Sequence, residues 1–439
     1  MVYISVIGLG YLGATQAIIL AKLGHNVVGV DTDKAKVASL NSGQLPFFEP
    51  GLGELLEEMI HSGRLEFFSD YPEKLLDVSV HFLCVGTPQK VDSDEVDISA
   101  VLQSAAEIAS RLSPRALVVG RSTVPIGTAE EVAKVVAEVS GFGSDTRVAW
   151  NPEFLSEGTA IEDSLNPDRI VIGVEDQESE RCLREVYQPI IDSGVPFLVM
   201  DIRTSELVKV AANSFLATKI SFINGVAAIA ERTGASTKLL AGALGLDSRI
   251  GSSFLRNGLG YGGGCLPKDI AGFQYQAEAV GATEFASFLR SVRLVNDGRI
   301  DAMVMMALEM LNGLSGKRIA VLGAAFKPNT DDFRGSPGIL LAKKFAAHGV
   351  EVSIHDPMVK NFLEEERIRL LSSVRESVRE VDMVVLATEW AEYKTLLPEE
   401  LGQLVRSKNI IDGRGSLQAK DWYSVGWEFR SLGEGGKSS

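Results

Sequence analysis

Residues 3–13 read YISVIGLGYLG: a short β-type run that enters three glycines at positions 8, 10 and 13. The spacing Gly8-x-Gly10-x-x-Gly13, directly after a strand and at the mouth of a helix, suits a turn that brings a pyrophosphate against helix N-terminal N–H groups. Alone the pattern is weak. The next strand, VVGVD, ends on Asp31, 31 − 13 = 18 residues after the last glycine. A carboxylate there accepts from both ribose hydroxyls and repels a 2′-phosphate, so NAD is expected in preference to NADP. Lys34 and Lys36 soften that preference without reversing it. A glycine turn needed only for packing is the competing reading, and strand, helix and Asp31 together argue against it.

Outward from this turn, β-rich runs (YISVIG, NVVGVD, VHFLCVG, ALVVGRST, RIVIGV) alternate with helical stretches as far as about residue 200, the pattern of a parallel doubly wound sheet. CVGTP (Cys84–Pro88) and STVPIG (Ser122–Gly127) end two of these strands. They fit ordinary turns and cofactor contacts equally well. Strand signals vanish from Thr204 to about Asn312, where apolar residues at 207, 208, 211, 215, 222, 226 and 229 keep a helical period. From Lys317 the alternation returns in KRIAVLGAAF, VEVSIHDP, DMVVLATEW and KNIIDGRG. The expected fold is α/β: two doubly wound Rossmann-like domains, 1–203 and 313–439, joined by a helical central region, 204–312, with one long helix.

Composition narrows the function. The chain has 439 residues, 43 basic and 58 acidic, hence 43 − 58 = −15 net charge, which argues against a nucleic-acid surface. Cys84, Cys182 and Cys265 lie far apart, with no CxxC pair and no zinc spacing, so neither metal nor disulfide is expected, and a reducing cytoplasm fits best. No basic n-region opens the chain and no apolar run approaches the ~18 residues of a membrane span, so neither signal peptide nor membrane is expected. The last residues, GEGGKSS, read as a frayed tail.

Residues 260–269, GYGGGCLPKD, are the densest chemical signal. Proline suits a first helical turn. Cys265 is therefore expected at the N-terminal edge of a helix over DIAGFQYQAEAVGA, where peptide N–H groups and the nearby Lys268 would stabilise a thiolate. The glycines would admit a substrate to the backbone and point N–H groups at an oxyanion. Asp269 could position a water or an amine. Cys84 reads as an apolar core residue, and nothing supports chemistry at Cys182. Lys209 and Asn213 share a helix face, which is either functional or a solvated stripe. Glu153 and Glu157 of NPEFLSEG could handle protons or lie on the surface.

At this point the chain resembles the UDP-glucose/GDP-mannose dehydrogenase family almost end to end. The matching segments, in the family's order, are GLGYLG with Asp31, CVGTP, STVPIGT, NPEFLSEG with NPDRIVIG, SELVKVAANSF, RIGSSFLRNGLGYGGGCLPKD, AAFKPNTDDFRGSP and DGRG. RIGxxFL is similar to the UDP-glucose branch, with GDP-mannose or a UDP-N-acetylhexosamine as the alternative substrate. A one-step β-hydroxyacid dehydrogenase would need neither the cysteine loop nor a third domain. A catalytically idle nucleotide-sugar sensor would not need Cys265, Lys209, Asn213 and Asp269 together. Gly264 stands where many relatives carry serine.

The resemblance implies oxidation of a sugar C6 alcohol by two hydride transfers to NAD, through a thiohemiacetal and then a thioester on Cys265 that water cleaves. It implies that Lys209 and Asn213 stabilise an oxyanion, that Asp269 and Thr123 order the water, and that Glu153 acts in proton transfer or substrate binding. Cofactor contacts carried over are Gly8, Gly10, Tyr11, Leu12, Gly13, Asp31, Lys36, Thr87, Thr123, Glu157, Lys268 and Arg334. For the nucleotide sugar they are Glu153, Phe154, Leu155, Glu157, Lys209, Asn213, Phe254, Leu255, Arg256, Asn257, Gly258, Gly262, Lys327 and Arg414. Arg249 is similar to an arginine that relatives contribute from a neighbouring subunit, and the helix at about 205–232 would form a dimer core.

Overall fold

The strands of this chain are short and apolar, and they assemble into two separate sheets. The computed structural model describes residues 1–360 and 365–435, and contacts divide the chain into two units, Met1–Ala212 and Asn213–Ser439.

The first unit carries β1 (Tyr3–Ile7), β2 (Asn26–Val30), β3 (Leu65–Phe68), β4 (Val80–Leu83), β5 (Leu117–Gly120), β6 (Arg147–Trp150), β7 (Ile170–Gly173) and β8 (Phe197–Met200). Their order in the sheet is β3-β2-β1-β4-β5-β6-β7-β8. Helices cover both faces, so Ile4, Val6, Val28, Val30, Phe82, Leu83, Val118 and Val119 are all buried, as parallel central strands require. One departure from the parallel expectation occurs at β7, which pairs antiparallel to β6 through Trp150 and Gly173 alone. The chain forms the NPEFLSEG segment off the end of β6 and then comes back, and the Asn151 side chain donates to the Val171 carbonyl (2.7 Å) in place of a longer ladder.

Four helices fill the stretch that lacks strand signals: Ile202–Thr233, Thr237–Gly245, Leu266–Ala279 and Thr283–Leu311. The long helix, Ile202–Thr233, is apolar on two faces. Phe215, Phe222 and Ile229 are exposed, while Val210, Ala217, Ile223 and Ala227 are buried together with Ser205, Glu206, Lys209, Asn213, Ser214, Ser221 and Asn224. A solvated Lys209/Asn213 stripe is thereby excluded.

The second unit ends in a fully parallel sheet of β9 (Arg318–Leu322), β10 (Glu351–His355), β11 (Ile368–Leu370), β12 (Met383–Leu386), β13 (Asn409–Asp412) and β14 (Glu428–Ser431), ordered β11-β10-β9-β12-β13-β14. The expected frayed tail is only partly open to comparison, because 436–439 lie outside the described residues. Gly433 and Glu434 are held: the Gly433 N–H donates to Glu231 (2.7 Å) and Ser236 donates to the Glu434 carboxylate (2.8 Å). No helix among the described residues is long and apolar enough to cross a membrane.

Candidate active site

The three glycines of the first turn do three different things. Gly8 has φ +89°, and a Cβ there would meet the Val85 backbone at 2.9 Å. A Cβ on Gly13 would strike the Gly8 carbonyl oxygen at 1.8 Å, so this glycine lets helix and strand approach. Gly10 has nothing within 4 Å of its Cβ position and begins the helix Tyr11–Lys22 with no side-chain cap. No side chain caps the first N–H groups of that helix, and a helix N-terminus of this kind is the receptor a pyrophosphate needs.

Beyond it, Asp31 accepts from the Leu9 N–H (2.7 Å), the Asp33 N–H (2.9 Å) and the Lys36 ammonium (2.7 Å). Burial would raise its carboxyl, but Lys36 and the two N–H groups outweigh burial and hold it below the ordinary carboxylate range. Lys36 is thus occupied by Asp31. Tyr11 donates to Glu49 (2.5 Å), and Glu49 also accepts from the N–H groups of Gly158 and Ala160. Glu49, which sequence reasoning passed over, thereby ties the NPEFLSEG segment beside the glycine turn. Leu12 packs against the core beneath, and Glu157 is half-buried with its charge acting on Tyr11.

The two strand-end segments left open above lie side by side, since β4 and β5 pair and the Thr87 hydroxyl donates to the Thr123 carbonyl (2.7 Å). Residues 151–156 are irregular, so Glu153 and Glu157 do not share a helical face. Instead Glu153 pairs with buried Lys209 at 2.9 Å and accepts from the Leu155 N–H. Phe154 lies between two cations, Arg169 (4.2 Å from the ring centroid) and Lys209 (5.6 Å). Asn151, Glu153, Phe154, Leu155, Arg121 and Arg169 line one cleft. Cys84 is buried and its thiol is pushed up to about 12, mainly by burial, as suits a core residue. Burial likewise raises Cys182 to about 11.

In the second unit Cys265 is exposed and is itself the N-cap of the helix Leu266–Ala279, which begins three residues before the expected start. Asp269 is buried and accepts from Asn213 (2.6 Å) and from Lys268 (2.7 Å). Lys268 is therefore engaged by Asp269, the residue next to it in the chain.

The glycines of this loop also have a packing role. A Cβ on Gly260 would meet Asn296 Oδ1 at 2.5 Å, on Gly262 the Gly335 carbonyl oxygen at 2.3 Å, on Gly263 the Phe326 ring at 2.9 Å and on Gly264 the Arg334 guanidinium at 2.7 Å. At Gly262, Gly263 and Gly264 a side chain is excluded by the 326–335 loop of the same unit, and at Gly260 by Asn296 of the helix Thr283–Leu311. Arg334, in turn, is held by Asp332.

The 254–258 segment is built as a fixed loop. Phe254 takes φ +63° and is exposed, Leu255 is buried, and Arg256 reaches toward Glu389 (4.0 Å). Asn257 donates to the Leu432 carbonyl. Gly258 is gripped twice: its N–H donates to Asn224 (2.8 Å) and its carbonyl accepts from Arg299 (3.3 Å). Asn224 and Arg299 were missed, although a polar side chain inside a helical apolar pattern was a usable signal.

Arg414 donates to the carbonyls of Ala387 (2.6 Å) and Phe326 (3.3 Å), on a turn held by buried Asp412. Lys327 is half-buried with its ammonium 5.5 Å from the Phe326 ring centroid. Arg249 is exposed and bound only locally, to Asp247, in the bonds observed.

The two sheets differ at the position that decides cofactor binding. Asp356, at the end of β10, is the counterpart of Asp31. It is saturated by the N–H groups of Ala324, Ala325, Met358 and Val359 and by the Trp390 indole. It has no capacity for a ribose, whereas Asp31 stands beside an open turn. The first unit is accordingly the dinucleotide domain, and the class is that of NAD-dependent oxidoreductases.

Comparison with known proteins narrows this. The NAD binding domain of the UDP-glucose/GDP-mannose dehydrogenase family matches residues 2–191, its central domain 203–298 and its UDP binding domain 320–419, and the chain belongs to that family. It is 40% identical over 435 residues to the UDP-glucose 6-dehydrogenase of Rickettsia typhi, covering 98% of this chain and 99% of that one. A UDP-glucose dehydrogenase structure from Pyrobaculum islandicum matches with TM-score 0.90 at 38% identity, covering 99% of this chain and 98% of the other. A UDP-D-ManNAc dehydrogenase structure from Pyrococcus horikoshii matches with TM-score 0.87 at 29% identity, covering 99% of both.

Proposed function

We propose that this chain oxidises the C6 alcohol of UDP-glucose to the carboxylate of UDP-glucuronate in two NAD-dependent steps, with the sugar held on Cys265 between them. Supporting this above all is an exposed cysteine at a helix N-cap with buried Asp269 one turn on, in a chain whose other parts match NAD and UDP binding domains. Bound NAD supplies the hydride acceptor for each oxidation. The Cys265 sulfur bonds to the C6 carbon of the first product, an aldehyde, and its oxygen takes up a proton to give a thiohemiacetal. Loss of a second hydride and of that proton leaves a thioester. Water then breaks the C–S bond, releasing the carboxylate, a proton and the free thiol.

Lys209, buried and paired with Glu153, offers a fixed cation to the oxyanion, and Asn213 a hydrogen-bond donor. Asp269 and Thr123 order the water, and Glu153 serves proton transfer or substrate binding. Residues 254–258, Gly262, Lys327 and Arg414 hold the uridine diphosphate and sugar, with Arg249 completing the site of a neighbouring subunit. A thiol used this way persists in a reducing compartment, which supports a cytoplasmic location.

The test is NADH formation across a panel of UDP- and GDP-sugars. Two NADH per UDP-glucose with an acid product are expected. Turnover of GDP-mannose or a UDP-N-acetylhexosamine in its place would overturn the substrate, and tight binding without turnover would make the protein a sensor.

A replacement at Asp31 probes the cofactor half. Asp31→Asn removes a charged acceptor worth about 1.5–3 kcal/mol, roughly 10–100-fold in affinity. The KM for NAD is expected to rise by that factor with kcat little changed, read from initial rates at saturating sugar.

The dimer is read from the exposed stripe of the long helix, where Phe215, Phe222 and Ile229 recur every seven residues at 65%, 57% and 63% exposure. Burying a phenylalanine contributes about 1.5–3 kcal/mol, so a Phe215→Glu/Phe222→Arg variant loses four such burials per dimer. Light scattering after gel filtration is expected to show monomers of the variant and dimers or larger assemblies of the parent. A parent that is monomeric at every concentration would remove this reading.

A further inference from the structure

The helix Thr128–Ser140 follows the Thr123 loop and starts at Gly127, a residue with φ +100° and no side chain to cap it. The cap comes from elsewhere. Glu206, buried in the second turn of the long helix, turns one carboxylate oxygen to the Gly127 N–H (2.7 Å) and the other to the Ala129 N–H (2.8 Å). Both oxygens are used, which only an ionised carboxylate can do fully, since a protonated one would set an O–H against an N–H.

The loop is pinned at its other end as well: Ser122 donates to the Val85 carbonyl (2.6 Å) and Thr87 to the Thr123 carbonyl. Glu206 also stands three residues before Lys209. The turn just before it is seated tightly, for a Cβ on Gly173 would meet the Ser205 hydroxyl at 2.2 Å.

We propose that Glu206 is a positioning residue: its ionised carboxylate, capping the helix Thr128–Ser140 from the long helix, fixes the Ser122–Gly127 loop that presents Thr123. The inference rests on the reading of Thr123 as a cofactor contact. Glu206 itself touches no reacting atom.

A second property follows from where the carboxylate sits. Burial pushes it up to about 7, against the two N–H donors that pull it down, with Glu130 on the capped helix raising it and Arg203 on its own helix lowering it. Arg203 is itself paired with Glu130 at the exposed rim. The folded state therefore keeps a proton that the unfolded chain releases at ordinary carboxylate pH. This group's contribution to stability is present at pH below that range and is lost as the pH rises to about 7. Above it the carboxylate is ionised and grips both N–H groups, so the loop is held best where the stability contribution is smallest. Loss of positioning and loss of folding then move in opposite directions with pH.

The test compares the parent chain with Glu206→Gln and Glu206→Asp. Loss of a helix cap of this kind is expected to weaken NADH binding by roughly tenfold at pH 8, read by fluorescence titration. The melting temperature of E206Q should not fall in step. Hydrogen exchange should rise in the peptide spanning 121–131 and not in the sheet. Parent affinity should drop toward that of E206Q as the pH is lowered from 8 to 6, while E206Q stays flat and E206D keeps part of the slope.

Parent-like affinity in E206Q at pH 8, or a parent-like pH slope in it, would overturn the proposal. Should E206Q not fold, the parent alone decides. Equal protection of 121–131 at pH 6 and pH 8, scaled to a sheet peptide, overturns the proposal, and selective loss at pH 6 supports it. NADH binding is read without sugar, so a parent that binds NADH but leaves UDP-glucose untouched would sink the proposed reaction and not this inference.

Discussion

Replacement of Cys265 by serine is expected to lower the rate of acid formation by about 10⁴-fold or more, the scale on which removal of an activated nucleophile acts. The change is one atom. A hydroxyl at the same N-cap is a far weaker nucleophile than a thiolate at neutral pH, because its pKa lies too high for the helix terminus to ionise it. The fold should not suffer, since serine is a preferred N-cap residue and the Cys265 carbonyl, which receives the Asp269 N–H at 2.9 Å, is unchanged. A melting temperature equal to or above that of the parent is therefore expected alongside the lost activity. NADH yield is the sharper readout. Without a covalent hold on the aldehyde the second oxidation stops, so no more than one NADH per sugar should appear. Two NADH at an undiminished rate would remove the sulfur from the reaction.

Lys209→Ala should damage both rate and stability, by separable routes. Loss of a preorganised charge at an oxyanion lowers kcat by roughly 10²–10³-fold. Independently, Glu153 would be left nearly buried without its cation, and breaking a buried pair in this way costs about 3–5 kcal/mol. The double variant Lys209→Ala/Glu153→Gln discharges that second effect. Thermal melts are expected to show stability returning in the double variant, whereas kcat is not expected to recover. Recovery of both together would mean that Lys209 matters only as the partner of Glu153.

The strands that carried clear apolar runs (β1, β2, β4, β5, β7, β9, β10, β12 and β13) all lie in the interior of the two sheets. Of those without such a run, β3, β8, β11 and β14 are the four sheet edges. An edge strand buries less and is often short, so its composition is weaker evidence. The antiparallel direction of β7 was invisible because it rests on a single pairing, Trp150 with Gly173, between residues far apart in sequence.

In the site, motifs with a fixed local geometry were readable: the Gly8–Gly13 turn with Asp31, and the Cys265 N-cap ahead of Pro267. Partners distant in sequence were not. Glu49 reaches residues 158 and 160, Glu206 reaches 127 and 129, and Asn224 and Arg299 meet at Gly258. The packing role of the glycines of 260–264 was not legible, since the neighbours that would strike a Cβ come from 60 to 75 residues away or from the facing helix.

A covalent bond between sugar and sulfur can be weighed. Quenching the enzyme in acid during turnover of UDP-glucose with NAD, then measuring the mass of the peptide that contains Cys265, should reveal a nucleotide-sugar adduct that disappears once substrate is exhausted. Steady acid production with that peptide always at its unmodified mass would contradict the account.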